Sequence, residues 1–201
     1  VVDWTLADDD LADAYVLGGG HKYVQAGEGA CFLRWPSGCG LRPVVTGWYA
    51  EFGQLETLPE AGVVPYGTGP ERFAGATYGP TSHYRAARVL RFFDELALTP
   101  TRLRAHNQRQ VARLRDGIRS LDLDPTVLVV PDVPDVPLPA LGGFLALTSP
   151  RAGDIRAALT ARDVHTDHRG DVLRLGPAPY TTDDHLDAAV AALGAVVAHL
   201  P

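Results

Sequence analysis

The stretch best equipped for chemistry is Gly18-Gly19-Gly20-His21-Lys22-Tyr23. The chain has 18 Lys and Arg residues, and Lys22 is the only lysine among them. A guanidinium stays protonated in proteins, whereas a lysine amine whose pKa is lowered by its surroundings can lose its proton and attack a carbonyl carbon. A chain that takes its fixed positive charge from arginine and keeps one lysine after three glycines has set an amine where Schiff-base chemistry can occur. The residues alone leave a second reading open, an ordinary surface lysine.

The elements around Lys22 support a positioned amine. Ala14 to Leu17 is short and continuously apolar, and the pattern predicts a buried strand. Gly18 to Gly20 then permit a sharp turn. That puts His21 and Lys22 at a strand's carboxyl end, where open α/β sheets place ligands. Ala30 to Trp35 reads as the next strand, paired with the first. Residues 36–79 lack periodicity but hold Trp48, Tyr49, Phe52, Tyr66, Phe73 and Tyr78, too many aromatics for a disordered tract. They are expected to form an ordered functional loop that packs on a partner subunit.

A helix is expected from Pro80, with Ala86, Val89, Leu90, Phe93, Leu96 and Ala97 as its apolar stripe. Thr99 caps a second helix that runs to about Leu121. Its Arg102, Arg104, Arg109, Arg113, Arg115 and Arg119 are assigned to a solvated face rather than an anion site. Strands are predicted at 126–130, 143–148 and 172–175, an extended connector at 131–139, and helices over 151–162 and after Thr182. The class is α/β, with residues 1–79 as the C-terminal part of a large domain and 80–201 as a small C-terminal α/β domain.

Composition narrows the function. The net charge of −6 and the absence of a basic face argue against nucleic acid. No apolar run reaches the roughly 18 residues of a membrane span. Cys31 and Cys39 fit neither a disulfide framework nor a zinc signature, so no metal site and a cytoplasmic chain with reduced thiols are expected. The chain has no methionine and opens on Val1-Val2-Asp3-Trp4, which predicts a piece of a longer polypeptide.

Four segments resemble the aminotransferase class V and kynureninase-like group of fold-type I pyridoxal-phosphate enzymes. They are Asp13 to Tyr23 followed by Gly27-Glu28-Gly29; Gly47-Trp48-Tyr49; Arg72 to Thr77; and Asp171 to Tyr180 followed by Asp183-Asp184. The resemblance implies the C-terminal half of such an enzyme, the end of its large-domain sheet plus a small α/β domain. It implies pyridoxal 5'-phosphate as cofactor and an amino-acid substrate. Lys22 would be the Schiff-base lysine and general acid/base, with His21, Trp48 and Thr77 holding the cofactor, Trp48 and Thr77 from across a homodimer. Arg174 would bind the substrate carboxylate. The expected reaction is kynureninase-like hydrolytic Cβ–Cγ cleavage. The alternatives are a class V aminotransferase or other lyase, and a non-catalytic half that scaffolds a partner.

The sequence departs from the group in two places. Kynureninases carry a tyrosine before the lysine, where this chain has His21. Cysteine desulfurases share that histidine, but their nucleophilic cysteine lies late in the chain, and nothing after Cys39 is a cysteine. The resemblance puts the parts that cradle the phosphate, stack on the ring and bond the ring nitrogen upstream of Val1. The 201 residues alone are therefore expected to bind the cofactor weakly.

Overall fold

The computed structural model describes residues 11–57, 60–130 and 140–200. The connector expected at 131–139 lies outside the described residues. The chain divides into two compact units, an N-terminal one ending at Leu96 and a C-terminal one beginning at Ala97.

The N-terminal unit is built on a two-stranded antiparallel sheet, β1 (Val16–Gly19) and β2 (Cys31–Arg34). The strand begins two residues later than the apolar run predicts and includes Gly18 and Gly19. The reason is packing across the pair. Gly18 faces Phe32, and a Cβ at Gly18 would sit 2.1 Å from the Phe32 ring. A larger residue cannot occupy that position without moving the ring. Gly20 turns the chain, its N–H bonded to Ala30 O at 2.8 Å and its carbonyl accepting from Ala26 N at 2.8 Å.

The irregular stretch that follows is held by two 3-10 helices, Trp48–Gln54 and Pro70–Phe73. The unit closes with α1 (Thr81–Glu95). Pro80 precedes α1 as expected, and the helix is amphipathic, yet none of its residues is buried. Among the described residues of this unit only Ala26 and Ala50 are buried apolar groups.

The C-terminal unit is conventional by contrast. It contains α2 (Pro100–Arg119), β3 (Leu145–Thr148), α3 (Ala152–Thr160), β4 (Asp167–Arg169), β5 (Val172–Leu175) and α4 (Asp183–Ala198). The three strands form an antiparallel sheet in the order β3-β5-β4. Gly170, at φ 53°, makes the β4–β5 turn in the left-handed region that glycine tolerates.

Alternation sorts the sheet's faces. Leu145, Leu147, Leu173 and Leu175 are buried on one face and join Val111, Leu114 and Ile118 of α2, Ile155 and Leu159 of α3, and Leu186 and Leu193 of α4 in one core. Val111, Leu114 and Ile118 on α2, and Leu186, Val190, Leu193 and Val197 on α4, recur at helical spacing, and all of them pack into this core. Thr99 caps α2 by accepting from Arg102 N at 3.2 Å. Thr182 caps α4 in a reciprocal box with His185.

Two expectations are corrected here. Residues 126–130 do not form a strand. Asp124 accepts from Thr126 N at 2.8 Å and holds a turn, leaving only a bridge between Val129 and Thr148. The arginines of α2 are not simply a solvated face. Arg109 bonds Asp183 at 2.7 Å and Arg113 bonds Asp187 at 2.6 Å, tying α2 to the first turns of α4. Arg109 holds the Asp183 carboxyl below the usual carboxylate range, and Arg113 does the same for Asp187.

Candidate functional site

His21 and Lys22 fall in the turn directly after β1, at its carboxyl end. Both are exposed. The His21 ring folds back over the strand, with Nδ1 3.2 Å from where a Gly19 Cβ would lie. The Lys22 carbonyl accepts from Gln25 N at 3.1 Å and closes the turn. Gln25 itself holds a φ of 56°. The Lys22 amine has no hydrogen-bond or ion-pair partner among the described residues. It is a primary amine on a short, backbone-fixed turn, available to a carbonyl ligand.

Trp48 and Thr77 lie in segments that the structure brings together. A Cβ on Gly47 would stand 2.1 Å from the Gly75 carbonyl oxygen, so the two backbones pass in direct contact. Only glycine permits that approach. The Tyr49 and Tyr78 rings meet edge-on at 6.1 Å. Trp48 itself packs edge-on against Tyr49 at 4.9 Å and tilted against Phe52 at 5.4 Å, while remaining 46% exposed. Thr77 is exposed. Neither the Trp48 indole N–H nor the Thr77 hydroxyl has a partner among the described residues. Two neutral donors thus stand on adjoining segments with free hydrogen-bonding capacity. No hydrogen bond, ion pair or ring contact links the His21-Lys22 turn to Trp48 or Thr77.

Arg174 belongs to the C-terminal unit. It lies in β5, opposite Ala146 of β3 and Asp167 of β4, on the sheet face away from the core. Its guanidinium pairs with the Asp167 carboxylate and lies 5.5 Å from the Phe144 ring centroid. The strands that carry it end in loops clamped by α2. Asn107 donates to Gly143 O at 3.1 Å, and the buried Gln110 donates to Ala178 O and Thr181 O, both at 2.9 Å. The arginine is therefore rigidly carried and already matched with a carboxylate.

One cluster escaped sequence reasoning. The Tyr15 hydroxyl and the Cys39 thiol are 2.8 Å apart. Each shifts the other: the bond to Cys39 pushes the Tyr15 phenol up, and the bond from Tyr15 pulls the Cys39 thiol down, with a backbone bond at Leu41 and Arg72 acting the same way. Both directions follow from one hydrogen bond between the phenol oxygen and the sulfur, which favours the proton on Tyr15 over Cys39. Arg72 anchors the loop by donating to Cys39 O at 3.3 Å, Leu41 O at 3.2 Å and Gly69 O at 3.1 Å. Apart from Gly69, which is three residues from Arg72, these partners are 24 to 33 residues apart and follow no period, so no sequence pattern announces them.

Among the described residues no group of His, Cys, Asp and Glu could hold a metal ion. Among them too, no helix is long and apolar enough to cross a membrane.

Comparison with solved structures gives the class first: an α/β chain with the fold of part of a fold-type I enzyme. In particular, it is similar to a NifS-like protein over 92% of this chain and 47% of that one, with a TM-score of 0.64 at 15% identity. The chain thus spans about half the length of that protein. A transaminase with L-ala matches over 59% of this chain and 28% of that one at 20% identity, with a TM-score of 0.45. A lysine aminotransferase from M. tuberculosis in the internal aldimine form matches over 64% and 28% at 23% identity, with a TM-score of 0.48. The fold assignment rests on the first of the three. No protein-family model and no curated protein matches the chain.

Proposed function

We propose that this chain is the lysine-bearing part of a pyridoxal-phosphate enzyme that acts on an amino acid. The observation that carries the reading is the sole lysine, exposed with a free amine on the turn that ends β1, in a chain with the NifS-like fold. The residues present suit two ends of the cofactor. Lys22 supplies the amine that its aldehyde requires, and the free donors of Trp48 and Thr77 suit a phosphate dianion.

When bound, the cofactor supplies an electron-poor ring that takes up the electron pair of the bond broken next to the substrate amine. The protein's part is to hold, orient and move protons. Lys22 Nζ would hold the cofactor's aldehyde end and, as a free amine, would carry protons at the substrate's reacting carbons. His21, beside it, restricts the turn and offers a donor to the phosphate. Arg174 binds the substrate carboxylate by a two-pronged contact. For that it exchanges Asp167 for the substrate, so the substrate carboxylate competes with a resident one. Trp48 and Thr77 act across a homodimer in this reading, on the partner copy's phosphate.

The reaction proposed first is kynureninase-like hydrolytic Cβ–Cγ cleavage, supported by the likeness of the Gly47-Trp48-Tyr49 and Arg72–Thr77 segments to that group. Class V transamination is the second reading, favoured by His21 in place of the tyrosine that kynureninases carry. A desulfurase is disfavoured because no cysteine follows Cys39. The test is a substrate screen that follows anthranilate release from kynurenine beside amine transfer to a keto acid, with Lys22→Ala as control. Anthranilate release that needs Lys22 supports the first reading, and amine transfer that needs Lys22 supports the second. Equal activity of Lys22→Ala would return the chain to a scaffold for a partner.

A further inference from the structure

The C-terminal unit contains a cavity of about 560 Å³ that none of Lys22, His21, Trp48, Thr77 and Arg174 lines. It lies between the end of α3, the chain leaving β5 and the first turns of α4. Its volume is that of a small-molecule site, which ordinarily runs from roughly 300 to 1,000 Å³.

The lining has two parts. One is apolar: Leu114, Val164, Leu175, Leu186 and Pro177 contribute side chains from the edge of the core. The other is a set of donors: Arg162, His165, Thr166, Tyr180 and His185. Of these, Thr166 keeps its polar atom beneath the cavity surface. Its hydroxyl is shut off from solvent and has no hydrogen-bond partner. A hydroxyl that a water-sized sphere cannot reach cannot touch a ligand in the cavity either, so the polar contacts fall to the exposed side chains, Arg162 first.

The charge pattern selects the ligand. Arg162 spends one N–H on Ala158 O at 3.3 Å and has no carboxylate partner, which leaves its fork free. His185 accepts from Thr182 N through Nδ1 at 3.4 Å in the α4 capping box, so its neutral ring carries the proton on Nε2 and presents a donor. The only carboxylate in the lining, Asp163, is bonded to His165 at 3.1 Å, and its side chain is 97% exposed, turned to water. Donors therefore outnumber acceptors around an apolar floor.

We infer that this cavity binds a small carboxylic acid with an apolar body, aromatic or branched. Its apolar part lies on Leu114, Leu175 and Leu186, and its carboxylate is received by Arg162. The site stands apart from the proposed cofactor chemistry, and its success or failure does not depend on that reading.

The test is NMR titration of the isotope-labelled full chain with sodium benzoate, and with benzylamine as the isosteric cation. Benzoate is expected to shift the His165 and His185 ring resonances and the Thr166 methyl along one saturable curve, with no such curve for benzylamine. Arg162→Gln should weaken benzoate roughly tenfold, the loss of one charge-assisted fork. Ala188→Phe adds bulk at an exposed lining position of α4 and should abolish binding while the amide spectrum stays dispersed. The proposal is overturned if benzoate gives no saturable shift up to about 10 mM, the weak limit of a specific site. It is equally overturned if benzylamine binds as well, or if binding survives Ala188→Phe.

Discussion

The two units of this chain solve folding in opposite ways. The C-terminal unit buries a continuous apolar core under one face of its sheet, stapled by the Arg109 and Arg113 pairs to α4. The N-terminal unit has almost no core. All but Val129 and Tyr180 of the large apolar side chains exposed among the described residues belong to it, among them Leu17 at 80% and Val44 at 98%. A two-stranded sheet is at best marginally stable in water without further packing. Close backbone contacts at Gly18 and Gly47, ring contacts and the Arg72 bonds give this unit its local order. The lesson is a division of labour. The unit that folds by burial carries stability and Arg174, while the unit with its apolar surface uncovered carries Lys22.

The sharpest way to break this division is at Lys22. Lys22→Ala should lower any pyridoxal-phosphate-dependent turnover by roughly 100-fold or more, the size of a lost general acid/base, and leave the thermal midpoint unchanged. A drop in that midpoint would mean that the amine also holds structure. Next in size is a pair of truncations. Leu147→Ala, at a fully buried site, should cost about 2–5 kcal/mol in urea unfolding, whereas Leu17→Ala, on the uncovered sheet, should stay within about 0.5 kcal/mol. Comparable losses at the two sites would show that Leu17 is covered in solution.

Much of the C-terminal half of this contrast could be read beforehand, and the reason is periodicity. Val111, Leu114 and Ile118, like Leu186, Val190, Leu193 and Val197, recur at helical spacing and all enter the core. Thr99 and Thr182 announce helix starts by the local chemistry of their hydroxyls. The N-terminal unit gave less away. Its triple glycine suggested a turn, but Gly18 is demanded by a ring on the neighbouring strand, a contact no local pattern encodes.

Two smaller effects test the electrostatics of each unit. Asp183 and Asp187 have folded pKa values depressed below their unfolded ones. Their contribution to stability is therefore fully present above the ordinary carboxyl pKa of about 4 and fades as pH falls through the depressed values. Arg113→Gln should flatten that acid-side slope in urea midpoints measured from pH 6 down to pH 2; an unchanged slope would exclude these pairs as its source. In the N-terminal unit, Cys39 should react with iodoacetamide several-fold faster than Cys31 at pH 8, because Tyr15 and Arg72 favour its thiolate. Tyr15→Phe should slow it, and mass-spectrometric rates at the two cysteines measure both changes.

By itself the sequence determined the α/β class, the helices of the C-terminal unit, their caps, and the one lysine placed just beyond a strand. Those features are local: they follow from apolar spacing, from side chains that bond their own backbone, and from the chemistry of a single residue type. The tertiary structure alone decided that Arg174 rests on Asp167, that the α2 arginines reach α4, that Gly47 touches Gly75, and that Tyr15 and Cys39 are hydrogen-bonded. Each of these joins groups that are distant in sequence and obey no period, so only the packed chain brings them within bonding distance.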